Sequence, residues 1–192
     1  MPRANTVVLG FSCLLGLAGC ATTSPSDDAP RSTERPETPP PRIQAWMDRL
    51  TVEHAYDPET GFIVAKETVG LPAVLTDGPP IDEAVRAAGD RLVIAVATAD
   101  RCAPCQQYKK DALNDPRVIE RLQDPGLLVT HVEVDRTPEL VERFLGSRAI
   151  PMTYAIRDGR PIATLRGQRS ADDLLSWLDE QHPRDASRAP TP

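Results

Sequence analysis

Positive charge is what this 192-residue chain has least to spare: 22 lysines and arginines stand against 28 acidic residues, for a formal charge of -6. The basic residues are scattered rather than clustered, which excludes a nucleic-acid surface and leaves no nucleic acid among the expected partners. Histidine is scarce as well. His54, His131 and His182 are the whole supply, and none stands at ligand spacing from a cysteine pair, so a four-ligand zinc site lacks ligands and no metal residues are assigned. Cysteine stops at four. Cys13 and Cys20 belong to an apolar stretch at the N-terminus, and only Cys102 and Cys105 fall where the pattern is that of a folded domain. No thiols remain for a disulfide framework, which leaves one redox pair or half a metal site. Long hydrophobic runs are missing too: the apolar stretch within residues 1–20 is too short to span a bilayer as a mature helix.

Proline, by contrast, is plentiful, with 20 residues, six of them between Pro25 and Pro41 and three in the last ten positions. Residues 1–19 carry Arg3, an apolar region through Leu17 and a small-residue end at Ala18-Gly19, the pattern of a secretory signal peptide. Leu17-Ala18-Gly19-Cys20 resembles the lipobox of bacterial lipoproteins. The resemblance implies cleavage before Cys20 and acylation of its thiol and new amine, several acyl chains giving firm anchoring where one is marginal. Ala21 after the lipidated cysteine implies sorting to the outer membrane, facing the periplasm. From Cys20 to Arg42 the chain is Thr, Ser, Pro, Asp and Glu without apolar periodicity, a disordered tether that at about 3.1 Å per residue reaches on the order of 60 Å.

The stretch around which the rest is organised runs from Arg91 to Leu113. Leu92 to Ala97 is an unbroken, β-branched-rich apolar run, too short for a buried helix, and reads as a parallel strand covered on both faces. Cys102 and Cys105 follow directly, with Pro104 between them where a helix's first turn tolerates a missing N–H. A thiol at that position faces unpaired backbone N–H groups and the positive end of the helix dipole, both of which favour thiolate. Cys102 is therefore the candidate nucleophile and Cys105 the resolving partner. Gln106 excludes the Cys-x-x-Cys-His haem attachment signature.

Residues 43–80 read as an N-terminal extension that packs on the domain. Ile43, Trp46, Met47 and Leu50 make the i, i+3, i+4, i+7 stripe of an amphipathic helix, expected to face the domain's own core. Asp57 to Gly61 is a turn cluster and Phe62 to Ala65 a strand, while residues 66–80 leave open an added strand, a lid near the cysteines, or plain packing. Pro80-Ile81-Asp82 opens a short helix ended by Gly89. After the cysteines, helix signals break at Asn114-Asp115-Pro116 and resume through Leu122. Leu127 to Val134 reads as a strand, completing a βαβ unit. Thr137 as N-cap, Pro138 and Gly146 bracket the next helix. Asp158-Gly159 joins a hairpin of Met152–Arg157 and Arg160–Arg166, and Ser170 with Asp173 has capping-box spacing for a last helix. Residues 183–192 read as a disordered tail.

With Cys102-Ala103-Pro104-Cys105 as a redox motif and Ile150-Pro151-Met152-Thr153 as a cis-proline segment, residues 81–182 resemble a thioredoxin-fold domain. The resemblance implies an α/β fold, a thioredoxin-like three-layer sandwich with a mixed central sheet. It also implies a substrate-binding surface of Ile150, Pro151, Ala103 and Pro104, with protein thiols and disulfides and a membrane or periplasmic redox partner as the expected partners. No cofactor is implied beyond the Cys102–Cys105 disulfide. Two departures stand out. Arg101 and Ala103 replace the family's usual Trp and Gly, and Val96 stands where the family buries an acid that helps move a proton for the second cysteine. Arg101, His131 and Glu133 are the candidate modulators. The expected function is a membrane-tethered thiol-disulfide oxidoreductase, with a redox-silent adaptor and a metal-binding module as the other classes. Ala103-Pro104 does not fix the redox direction.

Overall fold

The computed structural model describes residues 37–184; the expected signal peptide (1–19), Cys20, the expected tether (20–42) as far as residue 36, and the expected tail (183–192) from residue 185 lie outside the described residues. In chain order the elements are α1 (Pro41–Met47), β1 (His54–Asp57), β2 (Phe62–Ala65), α2 (Ala73–Thr76), α3 (Ile81–Ala87), β3 (Leu92–Thr98), α4 (Ala103–Tyr108), α5 (Pro116–Leu122), β4 (Leu127–Glu133), α6 (Pro138–Leu145), β5 (Met152–Arg157), β6 (Arg160–Arg166) and α7 (Ala171–Gln181). A π-helical stretch, Lys109–Leu113, continues α4.

The alternation along β3 builds the layers. Its side chains are buried without exception, as the continuous apolar run predicts. Leu92, Ile94 and Val96 enter one core with Tyr108, Leu113, Val118, Leu174 and Leu178, so α4, α5 and α7 cover that face. Val93, Ala95 and Ala97 enter a second core with Ile81, Ala84, Val141 and Leu145, so α3 and α6 cover the other. The result is a three-layer α/β sandwich. The sheet order is β4-β3-β5-β6. β3 runs parallel to β4, with Val96 beside His131, and antiparallel to β5, with Val96 beside Thr153. The sheet is therefore mixed. Asp158 (φ 51°) and Gly159 (φ 73°) both take positive φ in the β5–β6 turn, the geometry that a two-residue hairpin with matching twist demands.

Helix ends follow the sequence with one exception. Ser170 and Asp173 form a reciprocal capping box at α7. Thr137 precedes α6 at φ -132° and ψ 54° but does not cap it with its side chain; its hydroxyl donates instead to the Glu133 carbonyl at 3.2 Å.

The extension has its own small core. Leu50, Val52 and Ile63 pack with Ala103, with Ile43, Met47, Ala65 and Val69 around them. β1, which the sequence did not announce, pairs antiparallel with β2 across the turn Asp57–Gly61. Residues 66–80 resolve as packing: Leu75, 1% exposed, joins the main core, and the Pro79 carbonyl accepts from Thr130 Oγ1 at 2.8 Å.

Candidate active site

β3 ends at Thr98, and the chain turns through Ala99, Asp100 and Arg101 to deliver Cys102 as the N-cap of α4. Cys102 has extended backbone (φ -88°, ψ 109°), and its Sγ accepts from the Cys105 N–H at 3.2 Å. Its carbonyl accepts from the N–H groups of Cys105 and Gln106 at 3.0 and 3.1 Å. Pro104, having no N–H, leaves none unsatisfied in that first turn. The two cysteines are joined as a disulfide with Cα atoms 5.2 Å apart. They differ in access. Cys105 is fully buried, whereas Cys102 is half-buried and opens into a cleft of about 540 Å³.

One side of that cleft is Ala149 and Ile150; the Ile150–Pro151 peptide bond is cis. Ile150 makes no main-chain hydrogen bond among the described residues, while the Pro151 carbonyl accepts from Gly167 N–H at 2.9 Å. Ile150 and Pro104 line the cleft with Cys102, and Pro151 lies buried behind them. Ala103, expected on the substrate-binding surface, is instead 0% exposed, because Leu50, Val52 and Ile63 of the extension cover it.

The opposite side belongs to the extension. Val64 bridges antiparallel to Cys102, and Ala65 N–H donates to the Arg101 carbonyl at 2.8 Å. Phe62, Ile63 and Val64 of β2 and Trp46 of α1 face the cleft. Trp46 thus departs from the expected stripe: Leu50 is buried and Ile43 and Met47 pack inward, but Trp46 is 37% exposed at the cleft wall.

Gln106, expected only to exclude haem attachment, and Gln107, which the sequence did not single out, hold this wall in place. Gln107 Oε1 accepts from the N–H groups of Thr51 and Val52 at 2.6 and 3.1 Å, and its Nε2 donates to Thr51 Oγ1 at 3.0 Å and Asp111 Oδ2 at 2.8 Å. Gln106 Oε1 accepts from Val69 N–H at 2.8 Å while its Nε2 donates to the Asp100 carbonyl at 2.7 Å. Both are buried and fully engaged, as buried amides must be. The signal was their place in the motif helix: with Cys105 and Tyr108 also buried, no side of that turn faces water.

Beneath the motif, Val96 is part of the core and carries no proton. Charged groups gather instead at the ends of β3 and β4. The buried Lys109 Nζ reaches Asp100 Oδ1 at 3.3 Å, and Arg136 donates to Asp100 Oδ2 at 2.8 Å. Glu133 Oε1 accepts from Asp100 N–H at 3.3 Å, its Oε2 is buried without a hydrogen-bond partner among the described residues, and burial, aided by the negative Asp100, raises its pKa. His131 shares a 2.7 Å hydrogen bond with Thr98 Oγ1, and burial, with Lys109 and Arg136 adding repulsion, pushes its pKa down to about 4. Both line a second hollow, between β4 and the loop carrying Gly78 and Pro79, rather than the cleft over Cys102. Arg101 does line that cleft, yet its guanidinium is paired with Asp135 at 2.8 Å, which holds the Asp135 carboxyl below its usual range. Among the described residues no group of three or more His, Cys, Asp and Glu side chains is placed to share a metal ion.

A mixed sheet between two helical layers, with a disulfide across the first turn of the helix that follows β3, defines a thioredoxin-fold dithiol/disulfide protein. A family model described as a thioredoxin-like domain matches residues 82–182, and the chain belongs to that family. No curated protein matches the chain. Among solved structures, a thioredoxin from Thermus thermophilus is 27% identical, with 53% of this chain and 82% of that one covered and a TM-score of 0.46. A mutant thioredoxin from Halobacterium salinarum NRC-1 is 20% identical over 56% and 89% of the two chains, TM-score 0.44, and a poplar thioredoxin h is 24% identical over 55% and 86%, TM-score 0.41. Fold and paired cysteines together support thiol–disulfide exchange, a chemistry in which the disulfide serves in place of a bound cofactor.

Proposed function

We propose that the protein is a thiol-disulfide oxidoreductase held to an extracytoplasmic bacterial membrane surface by lipid on Cys20. The observation that carries the redox reading is the unequal access of two bonded sulfurs: Cys102 opens to the cleft and Cys105 does not. In the reduced protein, Cys102 thiolate attacks one sulfur of a substrate disulfide, the other substrate sulfur leaves as thiolate, and a mixed disulfide forms. Cys105 thiolate then attacks Cys102 Sγ and releases the first substrate sulfur. Two electrons pass to the substrate and the Cys102–Cys105 disulfide returns; run backwards, the same steps oxidise a dithiol. The Cys105 N–H at the first turn of α4 stabilises the Cys102 anion, and the unengaged main chain of Ile150 offers an edge to which an extended substrate segment can pair. Protein thiols and disulfides are the proposed substrates, with a membrane or periplasmic protein as electron partner.

The test is a Cys105→Ser chain expressed in its native envelope, in which mixed disulfides with client proteins should accumulate and disappear on reduction. Recovery of no such adducts would reject the exchange reading and leave a redox-silent adaptor. For the anchor, metabolic labelling with palmitate should mark the wild type and not Cys20→Ser, which should also leave the membrane fraction; equal labelling of the two would reject it.

A further inference from the structure

The extension turns an open surface into a two-walled cleft, and the walls are chemically particular. Phe62 and Trp46, 60% and 37% exposed, are two of the three large apolar side chains left exposed among the described residues, and both face Cys102 from the same side. The third, Ile162 on β6, does not line the cleft. Exposed apolar groups gathered around a reactive atom mark a contact surface, whereas scattered ones need no explanation. The wall is also fixed: the bonds from Gln106 and Gln107 tie residues 51, 52 and 69 to the helix that carries the cysteines. The Arg101 carbonyl is already taken by Ala65 N–H, whereas the main chain of Ile150 on the far wall is unengaged among the described residues and open to a visiting chain. The charge at the rim is unbalanced. Arg101 pairs with Asp135, and Arg148, which lines the same cleft and also acts on the Asp135 carboxylate, leaves one positive charge in excess with no salt bridge of its own among the described residues.

From this arrangement we infer that the extension is a specificity wall, and that the cleft takes one extended segment of a client protein whose cysteine is flanked by a large apolar residue with a carboxylate nearby. The apolar side chain lies between Phe62 and Ile150, the segment's main chain follows Ile150, and the carboxylate meets Arg148. This inference rests on the exchange reading for its sulfur chemistry; the recognition surface stands apart from it. Cysteines in glycine- or serine-rich segments gain nothing from the wall and react slowly.

The experiment uses synthetic peptides, each with a single cysteine as its mixed disulfide with thionitrobenzoate. One is Glu-Leu-Cys-Phe in a polar frame, one has Leu and Phe replaced by Ser, and one has Glu replaced by Gln. Reduced Cys102 attacks the peptide sulfur and thionitrobenzoate leaves as the coloured anion. Cys105 then displaces the peptide as thiol, two electrons passing from the protein pair to the mixed disulfide. The full chain carrying Cys13→Ser and Cys20→Ser should favour the apolar peptide at least tenfold. Trp46→Ser with Phe62→Ser should bring that ratio to about two, whereas Ile162→Ser should leave it unchanged. Arg148→Gln should remove the preference for Glu over Gln. A wild-type ratio near one, or a ratio indifferent to the double change, overturns the inference. Binding of a labelled peptide with Ser for Cys, read by fluorescence polarisation, separates the two readings. If that peptide binds through the wall while no anion is released, the oxidoreductase reading fails and the wall stands. Release without peptide preference has the opposite meaning.

Discussion

Replacing Gln107 by leucine tests whether the extension is part of the site or merely lies on it. Leucine keeps most of the volume at this buried position but removes an acceptor that serves two main-chain N–H groups and a donor that serves two oxygens. Val52 is 2% exposed, so its orphaned N–H finds no water and costs about 1–3 kcal/mol. Thr51 and Asp111 are exposed and regain solvent, and their losses add on the order of 1 kcal/mol. The expected loss is about 2–4 kcal/mol, a large share of a typical total of about 5–15 kcal/mol. At about 2–4 °C per kcal/mol for a domain near this size, the melting midpoint should fall by roughly 4–16 °C in a calorimetric or circular-dichroism scan. Hydrogen exchange should show the Thr51 and Val52 amides, which Gln107 Oε1 accepts from, losing protection before those of β3, since local opening precedes global unfolding. A midpoint within about 2 °C of wild type, with both amides still protected, would refute the claim that this glutamine secures the wall.

Two further outcomes follow from the packing and the charges. His131 is held neutral with a pKa of about 4, below the value of about 6.5 in an unfolded chain, so the unfolded state binds the extra proton; stability present above pH 6.5 is lost as pH falls toward 4. His131→Gln should therefore remove about 2 kcal/mol of the drop in unfolding free energy between pH 7 and pH 5, measured by urea titration at each pH. Glu133, with its raised pKa, works in the opposite direction and is common to both proteins; equal drops in the two would contradict the assignment. Gly78 abuts the main-chain carbonyl of Val129, where an added Cβ would collide, so Gly78→Ala should cost about 1–3 kcal/mol in the same titration, and an unchanged midpoint would mean that the loop before α3 yields freely.

Local chemistry decided what could be read from the sequence. The run Leu92–Ala97 declares a strand buried on both faces because each successive side chain is apolar, and Asp158-Gly159 declares its hairpin because both residues tolerate positive φ. The Cys102–Cys105 helix start was visible for the same reason, in a proline at the first turn. β1 was not visible, since four residues of mixed polarity, His54–Asp57, become a strand only by pairing with β2. Gln106, Gln107 and Lys109 escaped because polar side chains in a helix read as solvent-facing; their burial depends on partners at residues 51, 69 and 100, remote in sequence or beyond the turn. Trp46 kept helical spacing yet faces the cleft rather than the core, a choice made by β2 and not by the stripe.

The proposed function rests on two sulfurs that exchange electrons with another protein's. The full chain with Cys13→Ser and Cys20→Ser should be equilibrated in graded dithiothreitol buffers, its free thiols counted by alkylation, and the reduced form mixed with insulin as a model protein disulfide. Two thiols should appear together in a single two-electron transition, insulin reduction should follow, and Cys102→Ser should abolish it. A pair that never opens, or that opens and leaves insulin oxidised at every poise of the buffer, would contradict the account.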